Sequence, residues 1–237
     1  MSSGKRVLIT GASRGIGLAF AKHYNALGWN VIATARTPSS SSELQQLRVE
    51  AVVPLDVACE ESIKEAAKSI GTTTPIDLII NNAGIMLPDT LRSASKANMI
   101  KQYEVNAIGP FLVSRAFVSN LELAAKAGAS PAITAQISAR IASLGCVGEP
   151  GSIPGLYGYK ASKTALNSLT KALSVDLKPR GIASVLVHPG FVKTDMSGQK
   201  GKFTPDQSVE KIAAILAKTT IEDTGNFYHI DGTTTPW

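Results

Sequence analysis

Short runs of apolar and β-branched residues alternate along the whole chain with stretches whose apolar residues recur at helical spacing. The strand-like runs are RVLIT (6–10), NVIATA (30–35), AVVPLDV (51–57), IDLIINNAG (76–84), PAITAQIS (131–138), IASVLVH (182–188) and NFYHID (226–231). Nearly continuous apolar strands, each followed by a helix, are typical of a parallel sheet covered on both faces. The pattern predicts an α/β fold with a doubly wound parallel β-sheet, whose ligands bind beyond the carboxyl ends of the strands.

Helices are predicted between these strands. They cover Gly15–Leu27, a short segment at 43–49, residues 60–70, one long helix at Ser95–Ala127, Tyr157–Leu177 and Asp206–Lys218. Neither an internal repeat nor a linker divides the 237 residues. We therefore expect a single domain over residues 1–237 with one large core.

Composition and charge exclude several classes of protein. Apolar residues make up 44% of the chain and charged residues 18%, which is a globular rather than a disordered composition. No apolar run approaches the ~20 residues of a membrane span, and no leader-like segment precedes the first strand, so we expect a soluble, cytoplasmic protein. The net charge is +6, but the basic residues are scattered, which argues against nucleic acid as a partner.

The cysteines and histidines do not suggest a metal site. Cys59 and Cys146 lack CxxC spacing, and His23, His188 and His229 lack the spacing of metal ligands. We expect neither a disulfide framework nor a bound metal.

A glycine-rich turn connects the first strand to the first helix. TGASRGIG (10–17) places Gly11, Gly15 and Gly17 in the spacing GxxxGxG, whereas Phe20 stands where a GxGxxG pattern would have its third glycine. Glycines let the backbone approach a pyrophosphate, and the start of the helix offers free N–H groups and a positive dipole end. The turn predicts a dinucleotide site.

The end of the second strand indicates which dinucleotide binds. An NAD-selective site carries Asp or Glu there for the ribose 2′-hydroxyl, but this strand ends in Arg36 and has no acidic residue before Glu43. Arg36, helped by Arg14 in the glycine turn, could pair with a 2′-phosphate. The cofactor predicted here is NADP(H).

A tyrosine and a lysine occur at helical spacing in YKASK. Tyr159 and Lys163 stand four residues apart on one helical face. The lysine charge favours the phenolate, so the tyrosine could exchange a proton with a substrate oxygen. Tyr157 lacks such a partner, since Ala161 follows it at the same spacing.

These motifs together resemble the short-chain dehydrogenase/reductase family over essentially the whole chain, most closely its sniffer-type carbonyl reductases, C-factor-like proteins and fungal polyketide ketoreductases. The resemblance implies a Rossmann sheet with helices on both faces and NADPH-dependent reduction of a carbonyl. It implies that Asn106 holds a water in a proton relay to Lys163. It also implies cofactor contacts from residues of five motifs, namely Gly11, Ser13, Arg14, Gly15, Ile16 and Gly17; Asp56 and Val57; Asn82, Ala83 and Gly84; Tyr159 and Lys163; and Pro189, Gly190, Val192 and Thr194.

The chain departs from the family at the end of the fifth strand. The family reads ISSxxG there, and its second serine binds the substrate oxygen, whereas ISARIA places Ala139 at that position. A bulge or irregular strand exit could bring Ser138 into place instead, Ser143 could fold back, or no serine could serve. Ser138 is the preferred candidate, slightly ahead of no serine at all.

We therefore expect an oxidoreductase that reduces a ketone, aldehyde or quinone-type carbonyl, with catalytic residues Tyr159, Lys163, Asn106 and Ser138. Two alternatives keep the cofactor: a non-redox step, and a non-enzymatic regulatory protein. Substrate loops are predicted at about 140–156 and 197–205, because both are rich in Gly, Ser and Pro. A dimer or tetramer and a monomer all remain open.

Overall fold

A single parallel sheet runs through the protein. The computed structural model describes residues 4–128, 130–149 and 152–237. The strands within these ranges are β1 (Arg6–Ile9), β2 (Asn30–Ala35), β3 (Ala51–Pro54), β4 (Leu78–Asn81), β5 (Ala132–Ile137), β6 (Ile182–Val187) and β7 (Phe227–Tyr228). Their order is β3-β2-β1-β4-β5-β6-β7, and every neighbouring pair is parallel. The predicted doubly wound sheet is confirmed, and its strand order reverses between β1 and β4.

Helices cover both faces of the sheet. They are α1 (Gly15–Ala26), α2 (Ser42–Gln46), α3 (Glu60–Ile70), α4 (Lys96–Tyr103), α5 (Gly109–Ala116), α6 (Val118–Ala127), α7 (Tyr157–Leu177) and α8 (Pro205–Lys218). Alternate residues of β1 point to opposite faces, so Val7 and Ile9 pack with α1 and α8, whereas Leu8 packs with α3, α5 and α6. The strands are buried on both sides, which explains their nearly continuous apolar sequence.

The single helix predicted over Ser95–Ala127 is wrong, because the structure divides it into α4, α5 and α6. A π-helical turn, Glu104–Ile108, joins α4 to α5. The side chain of Asn106 in this turn bonds to both backbone groups of Ile85, and a helix that inserts one extra residue can present a side chain in this way. The second break is at the buried Phe117, whose φ of −108° and ψ of 16° leave the helical region.

Several predicted elements are longer than the observed ones. The strands predicted to end at Thr10, Val57 and Gly84 end at Ile9, Pro54 and Asn81 instead. After β3 and β4, the remaining residues 55–57 and 82–84 line the cleft described below, whereas the N–H of Thr10 still donates to Ile80 of β4. The short helix predicted at 43–49 is α2, which ends at Gln46. The first predicted substrate loop includes Pro150 and Gly151, which lie outside the described residues.

Candidate active site

A cleft of about 590 Å³ lies beyond the carboxyl ends of the strands. Its size is within the range usual for small-molecule sites. The predicted site residues that line it are Gly11, Ser13, Arg14, Gly15, Ile16, Arg36, Asp56, Val57, Asn82, Ala83, Gly84, Ser138, Tyr159, Lys163, Pro189 and Thr194. Residues from seven separate segments of the chain therefore meet in one cleft, at the place where the fold predicts a ligand.

The glycine turn forms one end of the cleft. Gly11 and Gly15 have φ angles of +67° and +56°, in the left-handed region that favours glycine. Gly17 lies behind them, where a Cβ would stand 2.1 Å from the carbonyl oxygen of Gly11. Helix α1 begins at Gly15 with no acidic residue in its first turn and no side-chain cap. Its free N–H groups and close backbone approach fit the phosphates of a dinucleotide.

Two neighbouring segments brace this turn. The hydroxyl of Thr10 accepts hydrogen bonds from the backbone N–H groups of Asn82 (3.0 Å) and Ala83 (3.1 Å). The side-chain amide of Asn82 donates to the carbonyl oxygens of Thr10 and Gly11 at 3.0 and 3.2 Å. The NNAG segment thereby holds the glycine turn in shape through direct contacts across the ends of β1 and β4.

Two arginines line this end of the cleft, Arg36 directly after β2 and Arg14 in the glycine turn. Arg36 is exposed at the rim of the cleft. Arg14 forms an ion pair with Asp195 at 3.1 Å, but both side chains are largely exposed. Such a pair contributes little free energy, so an anionic ligand could replace Asp195 as the partner of Arg14. Within the described ranges both arginines line the cleft, and the residue that directly follows β2 is Arg36 rather than an acidic residue. That arrangement fits an anionic group on the cofactor ribose.

The PGFVKT segment after β6 closes the opposite side of the turn. Thr194 lies beside Gly15, where an added Cβ would be in ordinary van der Waals contact with the Thr194 methyl carbon, at 3.5 Å. Gly190 and Val192 lie behind the cleft lining: Gly190 has a φ of +78°, and the buried Val192 pairs with Phe203. Pro189 lines the cleft, and its carbonyl oxygen accepts a hydrogen bond from Ser208 at 2.7 Å.

Tyr159 and Lys163 lie one turn apart on α7 and both face the cleft. The half-buried Tyr159 has its pKa raised from 10.0 to about 12 by burial. The buried ammonium of Lys163 donates to the carbonyl oxygen of Ile137 at 2.7 Å, and burial lowers its pKa from 10.5 to about 8. Tyr159 is therefore protonated at neutral pH, and Lys163 is predominantly charged.

Asn106 lies behind this pair rather than in the lining of the cleft. Its carbonyl oxygen accepts from the N–H of Ile85 at 2.8 Å, and its amide donates to the Ile85 carbonyl at 2.8 Å and to Ser162 at 3.0 Å. The side chain thus ties the segment after β4 to the residue next to Lys163. Its role in a water relay stays a prediction.

The three positions considered for the carbonyl-binding serine, Ser138, Ala139 and Ser143, lie in different surroundings after β5. The pairing with β6 stays in register through Ile137, and the N–H of Ser138 donates to Val187 at 2.9 Å, so this pairing continues past the end of β5. Ser138 lines the cleft, but its hydroxyl donates to Asn167 at 2.6 Å. Ala139 is buried. The fully buried hydroxyl of Ser143 donates to the carbonyl oxygen of Pro236 at 2.5 Å, which engages it with the C-terminal segment.

Several residues around the site were not predicted from the sequence. Asn167, Gln102 and Asp89 all make buried hydrogen bonds to site segments. Asn167 follows Lys163 by four residues, and Gln102 precedes Asn106 by four, so helical spacing was a signal available for both. Asp89 carries no such signal, since its partners are 68 and 69 residues away.

A second cavity lies at the opposite, amino-terminal ends of the strands. It measures about 710 Å³, and residues from α1, α8 and the starts of β4 and β5 line it, among them Tyr24, Leu78 and Ile133. None of the predicted site residues reaches it. In the part of the chain that the structure describes, no helix has the length and apolar character needed to cross a membrane, and no three potential ligand residues of the described ranges form a metal cluster.

Known proteins share both the sequence pattern and this architecture. The model of the short chain dehydrogenase family matches residues 5–204. The C-signal protein of Myxococcus xanthus is 34% identical over 166 residues, which cover 70% of this chain and 95% of that protein.

Two solved structures are similar over nearly their full length. An NADPH-bound carbonyl reductase from chicken fatty liver is 35% identical with a TM-score of 0.90, covering 99% of both chains. The carbonyl reductase Sniffer of D. melanogaster is 28% identical with a TM-score of 0.91, covering 99% of this chain and 100% of that one. With its matching motifs, fold and cleft, this chain belongs to the short-chain dehydrogenase family of oxidoreductases.

Proposed function

We propose that the protein reduces a ketone, aldehyde or quinone-type carbonyl with NADPH as the cofactor. The observation that carries this proposal is the placement of Tyr159 and Lys163 in the same cleft as the glycine turn and the two arginines. A related carbonyl reductase from chicken fatty liver has been solved with NADPH bound, which supports both the cofactor and the reaction.

The chain offers separate groups for each part of the cofactor. The N–H groups at the start of α1 would bind its phosphates, and Arg36 with Arg14 would bind a 2′-phosphate through charge-assisted hydrogen bonds. Asp56, Asn82, Pro189 and Thr194 would line the rest of its path. Bound NADPH supplies the hydride for reduction.

Tyr159 is the proton donor in this proposal. Its raised pKa keeps the hydroxyl protonated, so a proton is available for the substrate oxygen. The charge of Lys163 stabilises the phenolate that remains after the transfer. Asn106, which donates to Ser162 beside Lys163, would hold a water in the proton relay through Lys163 that returns the proton to Tyr159. Ser138 could polarise the carbonyl only after releasing its hydrogen bond to Asn167.

The experiment that tests this function is NADPH oxidation by the purified protein with a panel of ketones, aldehydes and quinones. Tyr159→Phe should lower turnover by at least ~10²–10⁴ fold, the usual worth of general acid catalysis, and leave NADPH affinity within about twofold. Tyr157→Phe is the matched control, since Tyr157 is two residues away and exposed. Unchanged turnover in Tyr159→Phe would contradict the proposal.

A second function is favoured by the end of β5. Ala139 has no hydroxyl, and the Ser138 hydroxyl donates to Asn167, so neither of the two residues that follow β5 offers a free hydroxyl donor to a carbonyl. A cofactor-bound cleft of this kind suits a non-redox step such as cyclisation, dehydration or isomerisation. Formation of product without consumption of NADPH would identify that chemistry.

A further inference from the structure

The helix that carries Tyr159 begins without a cap of its own. The residue before α7 is Leu156, whose φ of 57° places a non-glycine residue in the left-handed region. Its side chain makes no capping hydrogen bond, and the first turn contains no acidic residue. Such a backbone costs free energy in a residue that carries a side chain. The surrounding structure must therefore hold this helix start in place.

Asp89, from the loop after β4, supplies the missing cap. One carboxylate oxygen accepts from the N–H of Tyr157 at 2.6 Å, and the other accepts from the N–H of Gly158 at 3.0 Å. The Asp89 carbonyl oxygen also accepts from the N–H of Leu156 at 3.0 Å. Three successive N–H groups of the helix start thus bind one residue. Asp89 is 7% exposed, and no cationic side chain pairs with it among the described residues.

The glycines on α7 and just before it show how tightly Asp89 is packed. A Cβ on Gly155 would stand 2.4 Å from the carbonyl oxygen of Asp89, and one on Gly158 would stand 2.4 Å from the amide nitrogen of Gln102. Gly155 also has a φ of +71°. A larger residue at position 155 would push the helix start away from the loop, and one at position 158 would displace the Gln102 amide and crowd the Asp89 carboxylate, which lies 3.3 Å from that Cβ position.

The segment that presents Asp89 is itself held by α4 and the π turn. Gln102 accepts from the N–H of Leu87 at 2.8 Å, and Asn106 bonds to both backbone groups of Ile85. Gln102 and Asn106 lie four residues apart and are both fully buried. Alternate residues of the segment, at positions 85, 87 and 89, therefore bond in turn to the π turn, to α4 and to α7.

We propose that Asp89 is a positioning residue that fixes the first turn of α7 and thereby the place of the Tyr159 hydroxyl. The inference rests on the proposed function, because Tyr159 is assigned there as the proton donor. Tyr159 is the next residue after the two whose N–H groups Asp89 binds. A carboxylate also suits a helix N-terminus electrostatically. The negative charge and both carboxylate oxygens of Asp89 act on the N–H groups at the start of α7. Asp89 can therefore position Tyr159 without contacting the substrate.

Asp89→Asn is the informative variant, because it keeps one acceptor oxygen and places an NH₂ group against a backbone N–H. We expect kcat to fall by about tenfold to a hundredfold, the usual effect of misplacing a reacting group by about 1 Å. The KM for NADPH should stay within about twofold, and Asp89→Ala should lose more activity than Asp89→Asn. Hydrogen exchange at the N–H groups of Tyr157 and Gly158 should become faster in both variants.

Asp223→Asn is the matched control. Its carboxylate also accepts a backbone N–H, that of Thr220 at 2.8 Å, but it lies near the starts of β6 and β7. If kcat falls equally in the two Asn variants, or if kcat and NADPH affinity fall together with the folded fraction, Asp89 is only structural and the inference is overturned.

A readout without turnover separates this inference from the proposed function. The ¹³Cζ resonance of labelled Tyr159, assigned with Tyr159→Phe, should shift in Asp89→Asn and not in Asp223→Asn. If the wild type reduces no carbonyl, the proposed function fails, yet this shift still supports the placement of Tyr159 by Asp89. A Tyr159 resonance that is unchanged in Asp89→Asn overturns the placement whether or not the enzyme is active.

Discussion

The two ends of the cleft are built in different ways. At the end where we propose that the cofactor binds, one short turn offers its backbone N–H groups, and the side chains beside it, such as Arg36, are exposed. At the catalytic end, Lys163, Asn106 and Ser138 are buried, and each bonds to a residue at least 21 positions away in sequence.

This difference determines how each end responds to change. A glycine turn depends on conformation and on the space left by missing side chains, so adding one atom disturbs it. A buried polar network depends on every partner, because an unpaired buried group costs about 1–3 kcal/mol. We therefore expect steric substitutions to act most strongly at the cofactor end, and changes of hydrogen bonding or protonation at the catalytic end.

Among the tests that compare the two ends of the cleft, the largest effect is expected at the glycine turn. A Cβ in Gly17→Ala would stand 2.1 Å from the Gly11 oxygen and 2.5 Å from the Asn82 amide, so both must move. Overpacking of this kind costs ~1–3 kcal/mol, which predicts a loss of about tenfold to a hundredfold in NADPH affinity. Fluorescence titration with NADPH measures it. Gly4→Ala, which meets its nearest atom at 3.5 Å, should bind normally; equal affinities in the two variants would contradict the role of the turn.

The pH dependence of reduction should report the protonation of Lys163. Burial lowers its pKa to about 8, so the charge is present below that pH and is lost above it. We expect kcat/KM to fall by up to tenfold per pH unit as pH rises through about 8, since kcat/KM reports the free enzyme. Lys163→Arg keeps its charge, so any activity that it retains should show no inflection there. An inflection that persists in Lys163→Arg would assign it to another group.

The same shift predicts how stability changes with pH. The pKa of Lys163 is lower in the folded state than its ordinary value of 10.5, so folding disfavours its charged form. The free energy of unfolding should rise as pH increases from about 8 towards 10.5, because the unfolded state then binds more protons. Chemical denaturation of wild type and Lys163→Met across this range isolates the contribution; identical pH slopes would show that Lys163 is not the source.

The selectivity for NADPH over NADH tests the role of the exposed Arg36 at the cofactor end. Arg36→Ala should weaken NADPH binding by about tenfold and leave NADH binding unchanged, since only NADPH carries a 2′-phosphate for a charge-assisted hydrogen bond. The effect should shrink at high salt because the site is exposed. Arg92→Ala, which removes another exposed arginine, provides the control. A parallel loss of NADH affinity would indicate that Arg36 supports the turn rather than the phosphate.

The smallest effect on activity is expected at Ser138. Its hydroxyl donates to Asn167, so Ser138→Ala should lower kcat by less than tenfold, whereas loss of an oxyanion donor costs ~10²–10³. Denaturation should still show a loss of about 1–3 kcal/mol from the unpaired Asn167 oxygen. Ser143→Ala, another buried serine, controls for that loss. A hundredfold fall in kcat would mean that Ser138 polarises the carbonyl during turnover.

The sequence predicted the parallel sheet and the glycine turn because these depend on local patterns, whereas the grouping of the motif residues was implied by the resemblance to the family. A buried strand needs apolar residues on both faces, and a phosphate-binding turn needs glycines at particular positions. Helical spacing likewise placed Tyr159 and Lys163 on one face. The long helix at Ser95–Ala127 was wrong for the same reason: its helical period continues through the π turn, which is held by the distant Ile85.

By itself, then, the sequence determined the fold class, the family and the class of cofactor. The tertiary structure alone decided which hydrogen bonds the buried side chains make. In the folded protein the Ser138 hydroxyl donates to the side-chain oxygen of Asn167, the Ser143 hydroxyl donates to the carbonyl oxygen of Pro236, and Asp89 lies at the start of α7. The physical reason is that a buried polar group needs a hydrogen-bond partner, and tertiary packing decides which group lies within reach. The distance between two residues along the chain does not indicate whether they form such a bond.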